Sequence, residues 1–311
     1  MMRILVVGAG AIDGFFGGRL LAAGRGVTFL VRERRAAQLA KTGLVIRSKL
    51  GDVHVPSPPL VSAETLKGPY DVVLLACKAF DLDGALAAFA PAVGPDTAIL
   101  PLLNGLAHLD ALATRFSKKN VLGGQAGLPL TLDAEGRILH LAEMLAISFG
   151  ELDGTKSPRV AALAAEFAAA GIEAGQSSEI LQEMWDKWAF IATAGGITCL
   201  MRGTVGDIVA GGGAPLAMAL YDEIGLIAAA NGHPLQSDKA ERGKAMLTAA
   251  ASPFNSSMAR DVENGFRTEA EHVVGDLLRR AKGGQYPVLM TALTHLRTYE
   301  ARRKREGKAD R

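Results

Sequence analysis

The sequence predicts an α/β first half built on a parallel sheet, followed by an all-α second half. Three observations predict this. Short apolar, β-branched runs alternate with helical patterns through the first 150 residues. The first run, Ile4 to Val7, ends abruptly in Gly8-Ala9-Gly10 and opens straight into a helical pattern. Around Gly171 to Ser178 the strand-like runs stop and alanine-rich helical stretches take over. With 311 residues the chain is long enough for about two domains, and we divide it into 1–174 and 175–311. Hydrophobic residues make up 49% and charged residues 21%, so a large core can be buried. A net charge of +2 gives no steering toward nucleic acid or a membrane surface, and neither is expected as a partner.

Taken in order, the opening segment is a strand, a glycine turn and a helix, the context a dinucleotide fingerprint requires. Gly8 permits the sharp turn. Gly10, without a Cβ, lets a pyrophosphate approach, and the amides around Ala11 and Ile12 at the helix start would meet its charge. The third glycine of G-x-G-x-x-G is replaced by Asp13. An acid there suits the helix dipole, and its side chain is expected to point away from the phosphates. The first domain therefore reads as a Rossmann-type, dinucleotide-binding domain. Val27 to Val31 is the second parallel strand, followed by Arg32, where a site for the unphosphorylated ribose would usually carry an acid. Arginine suits a 2′-phosphate, so NADP(H) is the expected cofactor, although Arg32 to Arg35 also reads as an exposed charged turn. Leu44 to Arg47 and Val53 to Val55 form a small antiparallel excursion. Asp71 to Cys77 is a buried parallel strand, and Lys78 follows at the edge that faces the ligand crevice. Thr97 to Leu103 is another strand, ending in Asn104-Gly105. That dipeptide is either a turn or a source of an amide for cofactor or substrate. Residues 120–150 are expected to complete the sheet, with His140 and Glu143 on its faces.

In the second half a long helix is expected from an N-cap at Ser178, with Gly195-Gly196 interrupting it. Lys187 lies within it, and on spacing alone could be a surface lysine paired with Glu183. Asn255-Ser256-Ser257-Met258 precedes a helix over Asp261 to Arg280, where Glu269 and Glu271 could simply face solvent. A last helix runs from Val288 to about Arg303, and the basic tail Arg302 to Arg305 reads as solvated and frayed. The six histidines show no metal-ligand spacing, and no metal is expected. Cys77 and Cys199 read as buried thiols. The apolar run at the N-terminus is too short for a signal peptide and no stretch suggests a membrane span, so a cytoplasmic location is expected.

The chain resembles the ketopantoate reductase (2-dehydropantoate 2-reductase) family. The resemblance rests on GAGAIDGFFGGRL, LVR, LLACKAFDLD, LLNG, WDKW, NSSMARDV and FRTEAEHVVGDLLRRA, in that order. It implies a Rossmann domain followed by a helical domain, with the active site in the cleft between them, and NADPH reducing the ketone of a 2-oxo acid. It assigns Lys187 as the catalytic lysine and Glu269 as the active-site glutamate. Ser257 and Asn104 become substrate contacts, Arg32 the 2′-phosphate contact and Lys78 a lysine near the cofactor, which Asn104 also touches. Two of the family's substrate-binding asparagines are replaced by Ile191 and Gly195, which implies a more apolar 2-oxo acid. A non-catalytic NADP-binding redox sensor and a related β-hydroxyacid dehydrogenase are the alternatives. A homodimer is compatible with the apolar C-terminal helices.

Overall fold

The computed structural model describes residues 1–308. Its contacts divide it into two compact units, Met1–Leu103 with His108–Leu181, and Asn104–Ala107 with Gln182 onward. In the first unit, β1 (Arg3–Val7), α1 (Ala11–Ala22), β2 (Gly26–Leu30), α2 (Glu33–Thr42), β3 (Leu44–Arg47), β4 (Val53–Val55), β5 (Leu60–Val61) and β6 (Val72–Leu75) follow one another. Then come α3 (Leu82–Phe89), β7 (Ala98–Pro101), α4 (Ala107–Arg115), β8 (Leu122–Gly127), β9 (Leu130–Leu132), β10 (Ile138–His140), β11 (Ala146–Glu151), α5 (Pro158–Ala169) and β12 (Gly175–Gln176).

The main sheet is parallel, in the order β5-β2-β1-β6-β7. Every residue of β6 and β7 is buried, as continuous apolar runs covered on both faces require. α1 lies close on this sheet because it is glycine-rich. A Cβ on Gly17 would come within 2.7 Å of Phe29 in β2, and on another side of the helix one on Gly14 would come within 2.7 Å of Ile138 in β10. Phe15, Phe16, Phe149 and Phe167 are fully buried and meet edge-on or tilted, Phe16 and Phe167 at 5.7 Å between ring centroids.

Residues 120–150 do not complete this sheet. β8 and β11 pair antiparallel in a three-stranded sheet with β12, and β9 and β10 join β3 and β4 in a four-stranded one. One bridge, Ile99 to Val121, links β8's approach to β7. Strands this short are assigned by distant partners, β10 to β3 across some ninety residues, and not by local pattern. His140 is buried in β10, its ring bonded to Ser48 Oγ at 2.9 Å and set against Phe15, whereas Glu143 is exposed.

The second unit is helical: α6 (Ile180–Met201), α7 (Val205–Ala210), α8 (Ala214–Ala230), α9 (Ser237–Leu247), α10 (Ser257–Glu263), a π-helical turn (Glu271–Gly275), α11 (Asp276–Arg280) and α12 (Pro287–Arg305). Four expectations need correction. α6 begins at Ile180, and Ser177 rather than Ser178 accepts the nearby amide, that of Glu179, at 3.0 Å. Gly195 and Gly196 do not interrupt α6. A Cβ on Gly195 would come within 2.6 Å of Met258 Cε, and one on Gly196 within 2.9 Å of Leu220, so close packing explains both. Asp261 to Arg280 is not one helix, because α10 stops at Glu263 and the chain turns through Gly265 at φ +73°. The basic tail is not frayed. Arg302 to Arg305 form the last turn of α12, and Arg303 is only 2% exposed, donating to Gly265 O at 3.0 Å and pairing with Glu300 at 3.3 Å.

Candidate active site

In the first unit the C-terminal ends of β1, β2 and β6 open on a cavity of about 880 Å³. Gly8, at φ +102°, turns the chain off β1 and donates its N–H to Leu30 O at 2.8 Å. Gly8, Arg32 and Lys78 all line the cavity, and Gly10, Ala11 and Ile12 form the adjoining start of α1. Arg32 caps the start of α2 and is largely exposed, with Nη2 2.7 Å from Asp81 Oδ1. Lys78 is exposed just before the turn that carries Asp81. Cys77 is half-exposed on the same wall, contrary to the buried thiol expected. Cys199 is buried, and burial pushes its thiol up to about 12.

Asp13 does not point away from the turn. It is 5% exposed and folds back over the glycines. A Cβ on Gly8 would collide with Asp13 Oδ2, and one on Gly10 would come within 2.9 Å of Oδ1. Oδ1 accepts the Gly14 N–H at 3.0 Å, and the carboxyl also takes hydrogen bonds from the Asp13 and Gly10 amides. Burial outweighs these bonds and the nearby Arg35 charge, and holds the carboxyl at about 6. The acid does stand in the first turn, where the helix dipole favours it, and from there its side chain curls onto amides left without helical partners. Arg35, expected in an exposed charged turn, turns inward instead. Its Nε donates to Ala9 O at 2.9 Å and Nη1 to Gly136 O at 3.1 Å, so it clamps the turn's backbone from α2.

In the second unit the segment WDKW distributes its side chains around α6. Trp185 and Trp188 face inward, 4.9 Å apart between ring centroids. Trp188 Nε1 donates to Val273 O at 2.8 Å, tying α6 to the π-helical turn. Asp186 accepts the Gln236 N–H at 3.1 Å and holds the approach to α9, and burial raises its carboxyl. Lys187 begins a separate stripe with Ile191 and Gly195, one residue per turn. The residue is half-buried rather than freely exposed. Its ammonium is desolvated, and burial lowers it to about 8.

Three further candidates reach the same unit from other elements. Ser257 is the first residue of α10, behind the cap Ser256, and Met258 beside it covers Gly195. Ser256 is held by Thr198 Oγ1 at 2.8 Å. Glu269 is half-buried just before the π-helical turn, so it is no solvated helix residue. Thr268, next to it, is fastened by its N–H and hydroxyl to Glu300 at 2.7 and 2.8 Å. Glu271, by contrast, is exposed and takes Arg297 through both oxygens. Asn104 belongs to this unit although it follows β7. His272 bonds to its backbone, and a Cβ on Gly105 would lie 3.1 Å from His272 O. His272 had no signal beyond its place after T-E. Burial holds its imidazole below the ordinary range, against the pull of Glu269 and Asp276. The π-helical turn is thus bonded both to α6 and to the Asn104 segment, and such turns are frequent at functional sites.

Residues 4–154 match the family model described as ketopantoate reductase PanE/ApbA, and residues 179–300 match its C-terminal counterpart. The chain belongs to the ketopantoate reductase family. An uncharacterized oxidoreductase, YkpB, of Bacillus subtilis is 40% identical over 96% of this chain and 99% of its own length. A 2-dehydropantoate 2-reductase of Mesorhizobium japonicum is 29% identical over 88% of this chain and 89% of its own. The crystal structure of 2-dehydropantoate 2-reductase from Methylococcus capsulatus superposes with a TM-score of 0.86 at 31% identity, covering 97% of this chain and 98% of that one. As a member of the ketopantoate reductase family, this chain is an oxidoreductase acting on a CH–OH group, with a Rossmann-like first domain and a helical second one. The family's cofactors are nicotinamide dinucleotides. Among the described residues no helix is long and apolar enough to cross a membrane.

Proposed function

We propose that this chain reduces a 2-oxo acid with an apolar substituent to the 2-hydroxy acid, using NADPH, with Lys187 as general acid. What supports the reading is the place of Lys187, half-buried on α6 at the head of a stripe continued by Ile191 and Gly195, together with the desolvation that lowers its ammonium to about 8. The bound cofactor supplies the hydride. Arriving at the carbonyl carbon, it leaves negative charge on oxygen, which a nearby ammonium stabilises and then protonates. With a pKa about one unit above neutrality, Lys187 is mostly charged at pH 7 yet gives up its proton far more readily than an ordinary lysine. Glu269 orients the lysine and the substrate, Ser257 grips the carboxylate, and Asn104 contacts cofactor and substrate. Gly8, Gly10, Ala11 and Ile12 bind the pyrophosphate, while Arg32 and Lys78 supply positive charge for the 2′-phosphate end.

The substrate preference follows from the same stripe. An alkyl group at 191 and a bare backbone under Met258 at 195 offer no partner to polar substrate groups, and a site that leaves such groups unpaired discriminates against them. The test is an NADPH-oxidation screen over ketopantoate and 2-oxo acids bearing branched-alkyl or aryl groups, run in parallel with NADH. The reading expects kcat/KM to be highest for an apolar member, with NADPH preferred. A clear preference for ketopantoate would overturn the substrate assignment, and oxidation of NADH in preference to NADPH would overturn the role of Arg32.

A further inference from the structure

We propose that Asp13 occupies the amide nest that would receive the cofactor's pyrophosphate, so that a dinucleotide binds together with one proton, taken up by this carboxyl. The inference rests on the dinucleotide-binding reading above. Its geometry is local to the first unit. Both carboxyl oxygens lie against the turn, one blocking the Cβ direction of Gly8 and the other that of Gly10. The Gly10 and Gly14 amides, which stand at the start of α1, are already hydrogen-bonded to the carboxyl. Asp13 also faces the cavity lined by Gly8, Arg32 and Lys78. The side chain is therefore an internal anion at a place built for an external one.

Two anions cannot share that nest without cost. A pyrophosphate entering beside an ionised Asp13 meets a buried like charge, whereas a protonated carboxyl becomes a donor to a phosphate oxygen. The proton comes from solvent and no bond to carbon is made or broken. Free Asp13 titrates at about 6, so protonation is accessible near neutrality. The charged group facing it from a packed helix is Arg35 of α2, whose Nε and Nη1 are committed to backbone oxygens. Arg32, Glu33, Glu64, Lys78 and Asp81 stand on the walls of the same cavity. Arg137, in the β9–β10 turn, is paired with Asp133 and Glu135.

The test is NADH binding, followed by fluorescence between pH 6.5 and 8.5. NADH is chosen because a 2′-phosphate titrates near pH 6 and would add its own slope, of opposite sign. The wild-type Kd should weaken by close to tenfold per pH unit, and calorimetry in two buffers of different ionisation enthalpy should register uptake of about one proton. Asp13→Asn and Asp13→Gly, the latter restoring the third glycine, should bind with a Kd that is flat in pH, and two variants guard against one failing to fold. Binding by the wild type that is flat in pH, or a slope retained in both variants, would overturn the inference while leaving the dinucleotide reading intact. Failure of the wild type to bind either NADH or NADPH at pH 6.5 would overturn both.

Discussion

Replacing Lys187 by methionine should stabilise the protein while sharply lowering its turnover. Methionine keeps a long unbranched side chain and removes the charge. The fall of the ammonium from 10.5 to about 8 corresponds to roughly 3 kcal/mol borne by the folded state, at about 1.4 kcal/mol per pK unit. Below pH 8 the lysine is charged in both the folded and the unfolded chain, and the whole penalty is present. Between about 8 and 10.5 the unfolded chain keeps a proton that the folded chain has shed, so wild-type stability rises with pH. Above 10.5 both states are neutral and the penalty is gone. Lys187→Met should therefore exceed the wild type by on the order of 3 kcal/mol at pH 7, and the difference should shrink as pH passes through 8 to 10.5. The chain's two tryptophans, Trp185 and Trp188, flank position 187, so urea unfolding followed by their fluorescence reports the unit that matters. Turnover should drop by about 10² to 10⁴-fold. A variant no more stable than the wild type at pH 7 would refute the claim that Lys187 is held charged against its surroundings.

At saturating NADPH, kcat/KM for reduction should be level below pH 8 and fall tenfold per unit above it, because the protonated lysine is the form consumed. Lys187→Arg, which stays charged throughout, should remove that break from whatever activity remains, and a stopped-assay pH series decides it. Arg32→Ser should raise the KM for NADPH by roughly 10 to 100-fold, as loss of a charge-assisted phosphate contact of about 1.5–3 kcal/mol implies, and leave the KM for NADH nearly unchanged. Arg303→Leu should cost about 1–3 kcal/mol in urea unfolding, the usual consequence of leaving a buried acceptor unpaired, since it frees the Gly265 carbonyl and leaves Glu300 with only its Thr268 donors.

How much of this was legible in the sequence follows from the range of the forces involved. The strand, turn and helix over residues 3–22 were readable because period, glycine and helix start are all local. The small sheets were not. β9 and β10 are three residues each, and β10's parallel partner β3 lies far back in the chain. Arg303 looked solvated because its neighbours in sequence are basic. Its burial is decided by the carbonyl of Gly265 and the carboxylate of Glu300, which no window around position 303 contains in that geometry. Gly195 and Gly196 carried a true signal, close approach, but an ambiguous one. Met258 Cε and a Leu220 methyl occupy the space that side chains there would need, and α6 runs straight through.

The candidate site shows the same division more sharply, and it links two departures that look independent in the sequence. Ile191 stands one turn beyond Lys187 and Gly195 two turns beyond, where side chains on one helix face become neighbours. Neither offers an oxygen to the ammonium. On the proposed reading, the change that makes this face unsuited to a polar substrate is also one that withholds from the lysine the side-chain amides asparagines would offer. Desolvation is the cause of its lowered pKa, and a lower pKa brings a general acid closer to the pH at which it works best. On this account substrate preference and acid strength are set by the same stripe of α6. An apolar substituent that seals the stripe from water would sharpen the acid further, whereas a hydroxylated one would bring water with it and weaken the advantage.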